Sequence, residues 1–311
     1  MKKIAFVFPG QGSQSVGMLD SWSDDAVVTD TVARASAALG QDLAALIAQG
    51  PADALNLTTN TQPAMLTAGV ALYNAWIAAG GARPGIVAGH SLGEYAALTA
   101  AGALALEDAV RLVRIRADAM QAAVPVGTGG MAAILGLDDA AVVAVCQQAA
   151  QGEVVEAVNF NAPMQVVIAG HKAAVERACE AAKAAGAKRA VVLPVSAPFH
   201  SSLLSPAAEV LARALAEVDV QSPQMPLINN VDVAMPIDPH DVRDALVRQA
   251  WHPVRWVETL AAMKAQGVTH VVECGPGKVL AGLIKRIDPT LTGLAITDPA
   301  SLDAALTALS E

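Results

Sequence analysis

Gly85-Ile86-Val87-Ala88-Gly89-His90-Ser91-Leu92-Gly93 passes from a short apolar run into an Ala- and Leu-rich helical pattern that begins at Leu92. A serine between two glycines at a strand-to-helix turn is the sequence form of a nucleophile elbow. The bend pushes the hydroxyl clear of the backbone, and the helix N-terminus behind it stabilises negative charge. The same glycines also suit an ordinary tight turn, so the strand and helix on either side carry the argument. Covalent acyl chemistry on Ser91 is the function class this stretch points to.

Around the elbow, the chain reads as α/β. Ile4 to Phe8 is a short apolar strand ending at Pro9-Gly10, too short for a signal peptide. Long Ala-rich helical patterns follow it. The uncharged stretch Ala54 to Ala82 is interrupted by Thr61, Gln62, Pro63 and Asn74, and reads as a loop followed by a buried soluble helix rather than a membrane span. Helices follow around Ala96 to Ala100 and Leu106 to Met120, and then Pro125-Val126-Gly127-Thr128-Gly129-Gly130 breaks the pattern.

Beyond that break the segments alternate: Met131 to Leu137 strand, Asp138 to Ala150 helix, Val154 to Asn159 strand, Gln165 to Ala169 strand, Ala173 to Ala185 helix, Arg189 to Pro194 strand. Asn161-Ala162-Pro163 reads as the turn between the middle strands, and Gly186 closes the second helix. This βαββαβ order is that of a ferredoxin-like split βαβ unit. After Ser196 the α/β habit returns, with a helix near Pro206 to Glu217, apolar runs at Pro226 to Ile228 and His270 to Val272, and helices at Val254 to Gln266 and Val279 to Ile287. The expected architecture is a discontinuous hydrolase-like α/β domain of residues 1–125 and 197–311, interrupted by a ferredoxin-like insert of 126–196. A ligand site is expected between the two.

Composition narrows the function. The 311 residues are 54% hydrophobic and 16% charged, with a net charge of −9, which describes a buried core and argues against nucleic acid as a partner. Cys146, Cys179 and Cys274 are widely spaced and odd in number, which suits a reducing compartment, and a soluble cytoplasmic protein with no membrane association is expected. The six histidines have no ligand-like spacing to a carboxylate or cysteine, so no metal is expected.

A serine hydroxyl needs a base. His200 follows the last strand of the insert and the Pro198 turn, where it can face the cleft, whereas His90 would point away from Ser91 across the bend. The loop Gly10-Gln11-Gly12-Ser13-Gln14 after the first strand is where a hydrolase-like fold supplies one amide of an oxyanion hole, the other coming from Leu92. It lacks the spacing of a phosphate loop or dinucleotide fingerprint. Arg111, Arg114 and Arg116 on one helical stretch read, by themselves, as a solvated basic face.

Gly10-Gln11-Gly12-Ser13-Gln14, Thr61-Gln62-Pro63-Ala64, Gly89-His90-Ser91-Leu92-Gly93-Glu94, Ala197-Pro198-Phe199-His200 and Glu273-Cys274-Gly275-Pro276-Gly277 occur in that order. With these motifs the chain closely resembles bacterial malonyl-CoA:acyl carrier protein transacylases, from Phe8 to about Leu283. The resemblance implies that Ser91 accepts malonyl from coenzyme A and that His200 is its general base and later acid. It implies that the amides of Gln11 and Leu92 bind the oxyanion and that Arg116 grips the free malonyl carboxylate, which a lysine cannot hold bidentately. It gives Gln249 the backbone carbonyl that holds the histidine in place of a triad acid. Gln62, Asn159 and His90 match positions near the site. Phe199 matches the bulky residue of malonyl-selective relatives, filling the space of an α-methyl group.

The implied partners are malonyl-CoA and an acidic acyl carrier protein, with Lys188-Arg189 and Lys285-Arg286 as candidate docking patches, no cofactor, and a monomeric enzyme of fatty acid or polyketide assembly. Two other readings stay open: a serine esterase or thioesterase with water as acceptor, and a catalytically silent module that binds carrier protein.

Overall fold

The structure, a computed structural model, describes residues 2–195 and 197–310. Its nine strands among the described residues are β1 (Ile4–Phe8), β2 (Ile86–Gly89), β3 (Gly129–Leu135), β4 (Val155–Ala162), β5 (Gln165–His171), β6 (Arg189–Val192), β7 (Leu227–Ile228), β8 (His270–Cys274) and β9 (Thr292–Ile296). They form two sheets. One is parallel, in the order β7-β2-β1-β8-β9, and the other is antiparallel, in the order β4-β5-β3-β6.

The parallel sheet joins the first and last parts of the chain, as the sequence suggests, and its central strand shows why. Every residue of β1 is buried, because helices cover both faces. Phe6 and Phe8 point to one side, where Phe6 meets Tyr73 and Trp76 of the Thr58–Ala78 helix at ring-centroid distances of 5.9 and 5.2 Å. Ala5 and Val7 point to the other, into a core shared with Trp256, Leu260 and Ile284. Burying each of Phe6, Val7 and Phe8 is worth roughly 1.5–3 kcal/mol, so β1 is the spine of this half of the protein.

The second sheet and its two helices, Asp139–Ala150 and Lys172–Ala184, follow one another as βαββαβ, in the order read from the sequence. Their core is separate, built from Ile134, Val142, Val166, Ile168 and Ala178 among others. Ser196, the residue at which the insert is expected to end, lies outside the described residues.

Several boundaries differ from the sequence reading. The Thr58–Ala78 helix takes in Thr61, Gln62 and Pro63, which were expected in a loop; Pro63 lies in its second turn and forfeits one backbone hydrogen bond, which burial on nearly every side offsets. β3 begins two residues early, at Gly129. A Cβ there would lie 2.5 Å from the Pro198 ring, so glycine lets this strand pass close beneath the turn that carries His200. Asn161 and Ala162 belong to β4, not to a turn. Register shifts between Ala157 and Asn159 and between Phe160 and Ala162 disturb the alternation but leave the pairing intact, and the turn falls at Pro163-Met164, where Met164 has φ +62°. Among the elements that carried no assignment from the sequence are Pro239–Gln249, β9 and Pro299–Ser310.

Candidate active site

β2 ends at Gly89, and the chain turns through His90 and Ser91 into the Gly93–Ala100 helix. Ser91 has φ +53°, the left-handed conformation that a nucleophile elbow imposes on a non-glycine residue. The turn is tight enough that a Cβ on Gly89 would lie 1.9 Å from the backbone of Gly93. Only glycine fits.

Asn230 clamps the bend. It sits just past β7, at the carboxyl end of a parallel strand, where such sheets place their ligands. Its Oδ1 accepts from the Ser91 N–H at 2.7 Å, and its Nδ2 donates to the Gly89 carbonyl at 2.6 Å. Leaving a buried polar group unpaired costs about 1–3 kcal/mol. Asn230→Ala strands two of them, so thermal unfolding should show a loss of about 2–6 kcal/mol, together with a fall in transfer rate; an unchanged melting temperature would contradict the clamp.

His200 reaches the serine from the other part of the chain. Its Nε2 lies 2.6 Å from Ser91 Oγ, and its Nδ1 lies 2.8 Å from the carbonyl oxygen of Gln249. A carbonyl can only accept, so Nδ1 carries the proton and Nε2 is free to take one from the hydroxyl. His200 too has a positive φ, +66°. Its turn is held from β4, where Glu156 accepts from the Ser202 N–H at 2.7 Å and from the Ser202 hydroxyl at 2.8 Å. Burial, helped by the Arg116 charge, pulls the imidazole down to about 3, so it is neutral and competent as a base at neutral pH.

Arg116, on the Leu106–Ala123 helix, is only 2% exposed, unlike Arg111 on the same helix, whose side chain is 53% exposed. Its guanidinium donates to Gln62 Oε1 at 2.7 Å, Gln249 Oε1 at 2.9 Å and Ser91 Oγ at 3.2 Å, and lies 5.7 Å from the centroid of the Tyr95 ring. All three acceptors are neutral. A buried cation among neutral partners next to a nucleophile is suited to an anionic ligand.

The nucleophile opens into a cavity of about 670 Å³ between the two sheets. Gln11, Gln62, His90, Leu92, Arg116, Asn159, Phe199 and His200 all line it with Ser91. Gln249 does not; fully buried, it stands behind His200 and Arg116. Gln11 Oε1 accepts from the Thr58 hydroxyl at 2.8 Å, which fixes its loop against the buried helix. His90 turns from Ser91, as expected across the bend, and meets Asn161 Oδ1 at 2.7 Å. Asn159 Oδ1 is buried without a partner among the described residues. Phe199 packs against the small core of Met131, Val158 and Val167.

The sequence reading missed Asn230, Glu94 as more than a motif letter, and the Glu156 support. For Asn230 a signal existed: an Asn-Asn pair directly after an apolar run, at the end of a predicted strand. Among the described residues no group of acidic, histidine and cysteine side chains is arranged to hold a metal ion, and no helix is long and apolar enough to cross a membrane.

Residues 5–289 match the family model of the acyl transferase domain. A protein from Salmonella typhimurium named malonyl CoA-acyl carrier protein transacylase is 58% identical over 308 residues, covering 99% of this chain and 100% of its own. The crystal structure of an acyl-carrier-protein S-malonyltransferase from Burkholderia pseudomallei superposes with a TM-score of 0.97 at 67% identity, covering 98% of this chain and 99% of its own. A solved complex described as a type II PKS acyl-carrier protein with its malonyl-transacylase matches with a TM-score of 0.97 at 51% identity, covering 99% of this chain and 100% of that one. The chain belongs to the acyl transferase family, among its malonyl CoA-acyl carrier protein transacylases.

Proposed function

We propose that the chain moves a malonyl group from malonyl-CoA to the phosphopantetheine thiol of an acyl carrier protein by way of an acyl-Ser91 intermediate. The observation that carries this reading is the convergence on one oxygen: Ser91 Oγ has a neutral imidazole nitrogen at 2.6 Å and a buried guanidinium at 3.2 Å. The first makes a nucleophile, and the second selects an acyl group that ends in a carboxylate. The activities for which the relatives are named agree.

In the first half-reaction His200 Nε2 takes the Ser91 proton as Oγ bonds to the thioester carbon. The charge that develops on the carbonyl oxygen falls to the backbone amides of Gln11 and Leu92, the latter at the start of the Gly93–Ala100 helix. The carbon–sulfur bond breaks, and His200 returns the proton to the departing coenzyme A sulfur. In the second half-reaction His200 takes a proton from the carrier's thiol, whose sulfur attacks the acyl carbon and displaces Ser91 Oγ, and His200 returns that proton to Oγ. Gln62 holds the Arg116 fork, while His90 and Asn159 shape the cavity wall. Phe199 fills the space beside the acyl α-carbon; one methyl group there is worth only about 1–3 kcal/mol, so Arg116 carries more of the selectivity.

The same reading divides the chain into a catalytic domain of 1–125 and 197–311 and a ferredoxin-like insert of 126–196. In its support, the antiparallel sheet takes its strands from 129–192 and the parallel sheet takes none from there. We place the enzyme in the cytoplasm, where three buried free thiols stay reduced, and read it as a monomer, since one chain supplies every group of the site. The carrier protein docks on exposed basic pairs, Lys188-Arg189 or Lys285-Arg286; Arg286 hydrogen-bonds Gln165, a residue of the cavity wall.

Initial-rate kinetics test the function. Varying malonyl-CoA at several concentrations of holo carrier protein should give parallel double-reciprocal lines, with little coenzyme A released when no thiol acceptor is present. Intersecting lines, or full-rate release into water, would replace the transferase reading with a sequential enzyme or a thioesterase.

A further inference from the structure

The Ser91–His200 pair has no carboxylate on the histidine; a neutral carbonyl of Gln249 takes that place. A carboxylate is nevertheless close by, on the other side of the same glutamine. Glu94 lies in the first turn of the Gly93–Ala100 helix and is 1% exposed. Its Oε2 accepts from Gln249 Nε2 at 3.0 Å and from the backbone N–H of Asn230 at 2.9 Å. Gln249 Nε2 also donates to the Ser91 carbonyl at 2.9 Å, and Gln249 Oε1 accepts from Arg116. Turned over, the carboxamide would set its NH2 against the guanidinium and its oxygen against a carboxylate and a carbonyl. The two charges therefore fix it in one orientation.

We infer that Glu94 is a positioning residue for the proposed transfer: through Gln249 it anchors both the carbonyl that orients His200 and the acceptor that aims Arg116, and it supplies the buried negative charge that balances the guanidinium when His200 becomes cationic. The inference rests on the functional reading above. It gives the acid that ordinary hydrolases place directly on the histidine a new seat, one residue removed. Burial first, and the Arg116 charge after it, oppose protonation of His200, so a neutral Glu94, which leaves that charge uncompensated, would slow the step in which the imidazole takes the serine proton.

Among the described residues, few charged and titratable groups face Glu94. Arg116 comes from the Leu106–Ala123 helix and His200 lies beyond Gln249. Asp232, in the turn after β7, is held by both Nη atoms of Arg248. Tyr95 is its chain neighbour, pushed up to about 12 by burial and so neutral. Burial pushes the Glu94 carboxyl up to about 7 against the pull of its hydrogen bonds and of Arg116. The ionised form is the active one, so activity should be full above this value and decline as pH falls through it.

Steady-state transfer by the full chain, measured with malonyl-CoA and holo carrier protein from about pH 5.5 to 9, tests the assignment. The parent should lose kcat/KM as pH falls through about 7. Glu94→Gln should be slower by about 10-fold or more at high pH, in kcat rather than KM, and flat across that range. Glu94→Asp, which keeps the charge, should keep an acid limb. A Glu94→Gln enzyme with parental rates, or one that is slow yet keeps the parental limb, would overturn the inference. If Glu94→Gln does not fold, a parent flat through pH 7 or an Asp variant without the limb would overturn it instead. A parent that forms no malonyl-serine fails the functional reading itself, whereas an active parent with an indifferent Glu94→Gln removes only the role of Glu94.

Discussion

Ser91→Ala and His200→Ala should each slow malonyl transfer by about 10⁴-fold or more, and the double variant should be scarcely slower than either alone. The two groups act as one device, since the hydroxyl is a poor nucleophile without the imidazole 2.6 Å away and the imidazole has nothing to deprotonate without the hydroxyl. Ser91→Ala also removes one acceptor of Arg116, leaving Gln62 and Gln249 to hold the guanidinium, so malonyl-CoA binding should survive with little change. Transfer assays on the three variants, with Kd for malonyl-CoA measured on Ser91→Ala, check this. Additive losses in the double variant would mean that serine and histidine serve different steps.

Arg116→Ala should lower the preference for malonyl over acetyl thioesters by about 100-fold or more, because charge-assisted hydrogen bonds at a desolvated site are worth about 2–5 kcal/mol when one partner is removed. The loss should fall on malonyl, with acetyl transfer changed far less. Arg116→Lys should recover only a part, since a point charge on a flexible stem cannot reproduce the planar fork now held between Gln62 and Gln249. Competition between the two thioesters gives the ratio of kcat/KM directly. A ratio unmoved by Arg116→Ala would remove Arg116 from specificity and restore the esterase reading.

What could be read from the sequence was local. The elbow follows from a few consecutive residues, because strand, bend and helix leave room only for glycine at Gly89 and push Ser91 outward. The βαββαβ order was legible because its turns and caps are marked, as at Asp138, whose side chain accepts from the Ala141 N–H. Arg116 was not distinguishable from Arg111 and Arg114 by pattern, since only packing against Tyr95, Gln62 and Gln249 separates a buried fork from a solvated face. Without the family resemblance nothing in the residue itself marks Gln249, whose contribution to His200 comes from its backbone. β9 escaped because it is an edge strand, Thr-Gly-Leu-Ala-Ile, exposed at its start and without alternation. Glu94 and Asn230 meet across 136 positions of sequence, a distance no local pattern spans.

Intact-mass measurement after mixing the chain with malonyl-CoA alone, with no thiol acceptor, puts the acyl-serine to the most direct test. One malonyl group per chain should appear, be absent from Ser91→Ala, and be lost when holo carrier protein is added. No adduct on the parent, or an adduct that persists in Ser91→Ala, would contradict covalent transfer through this hydroxyl.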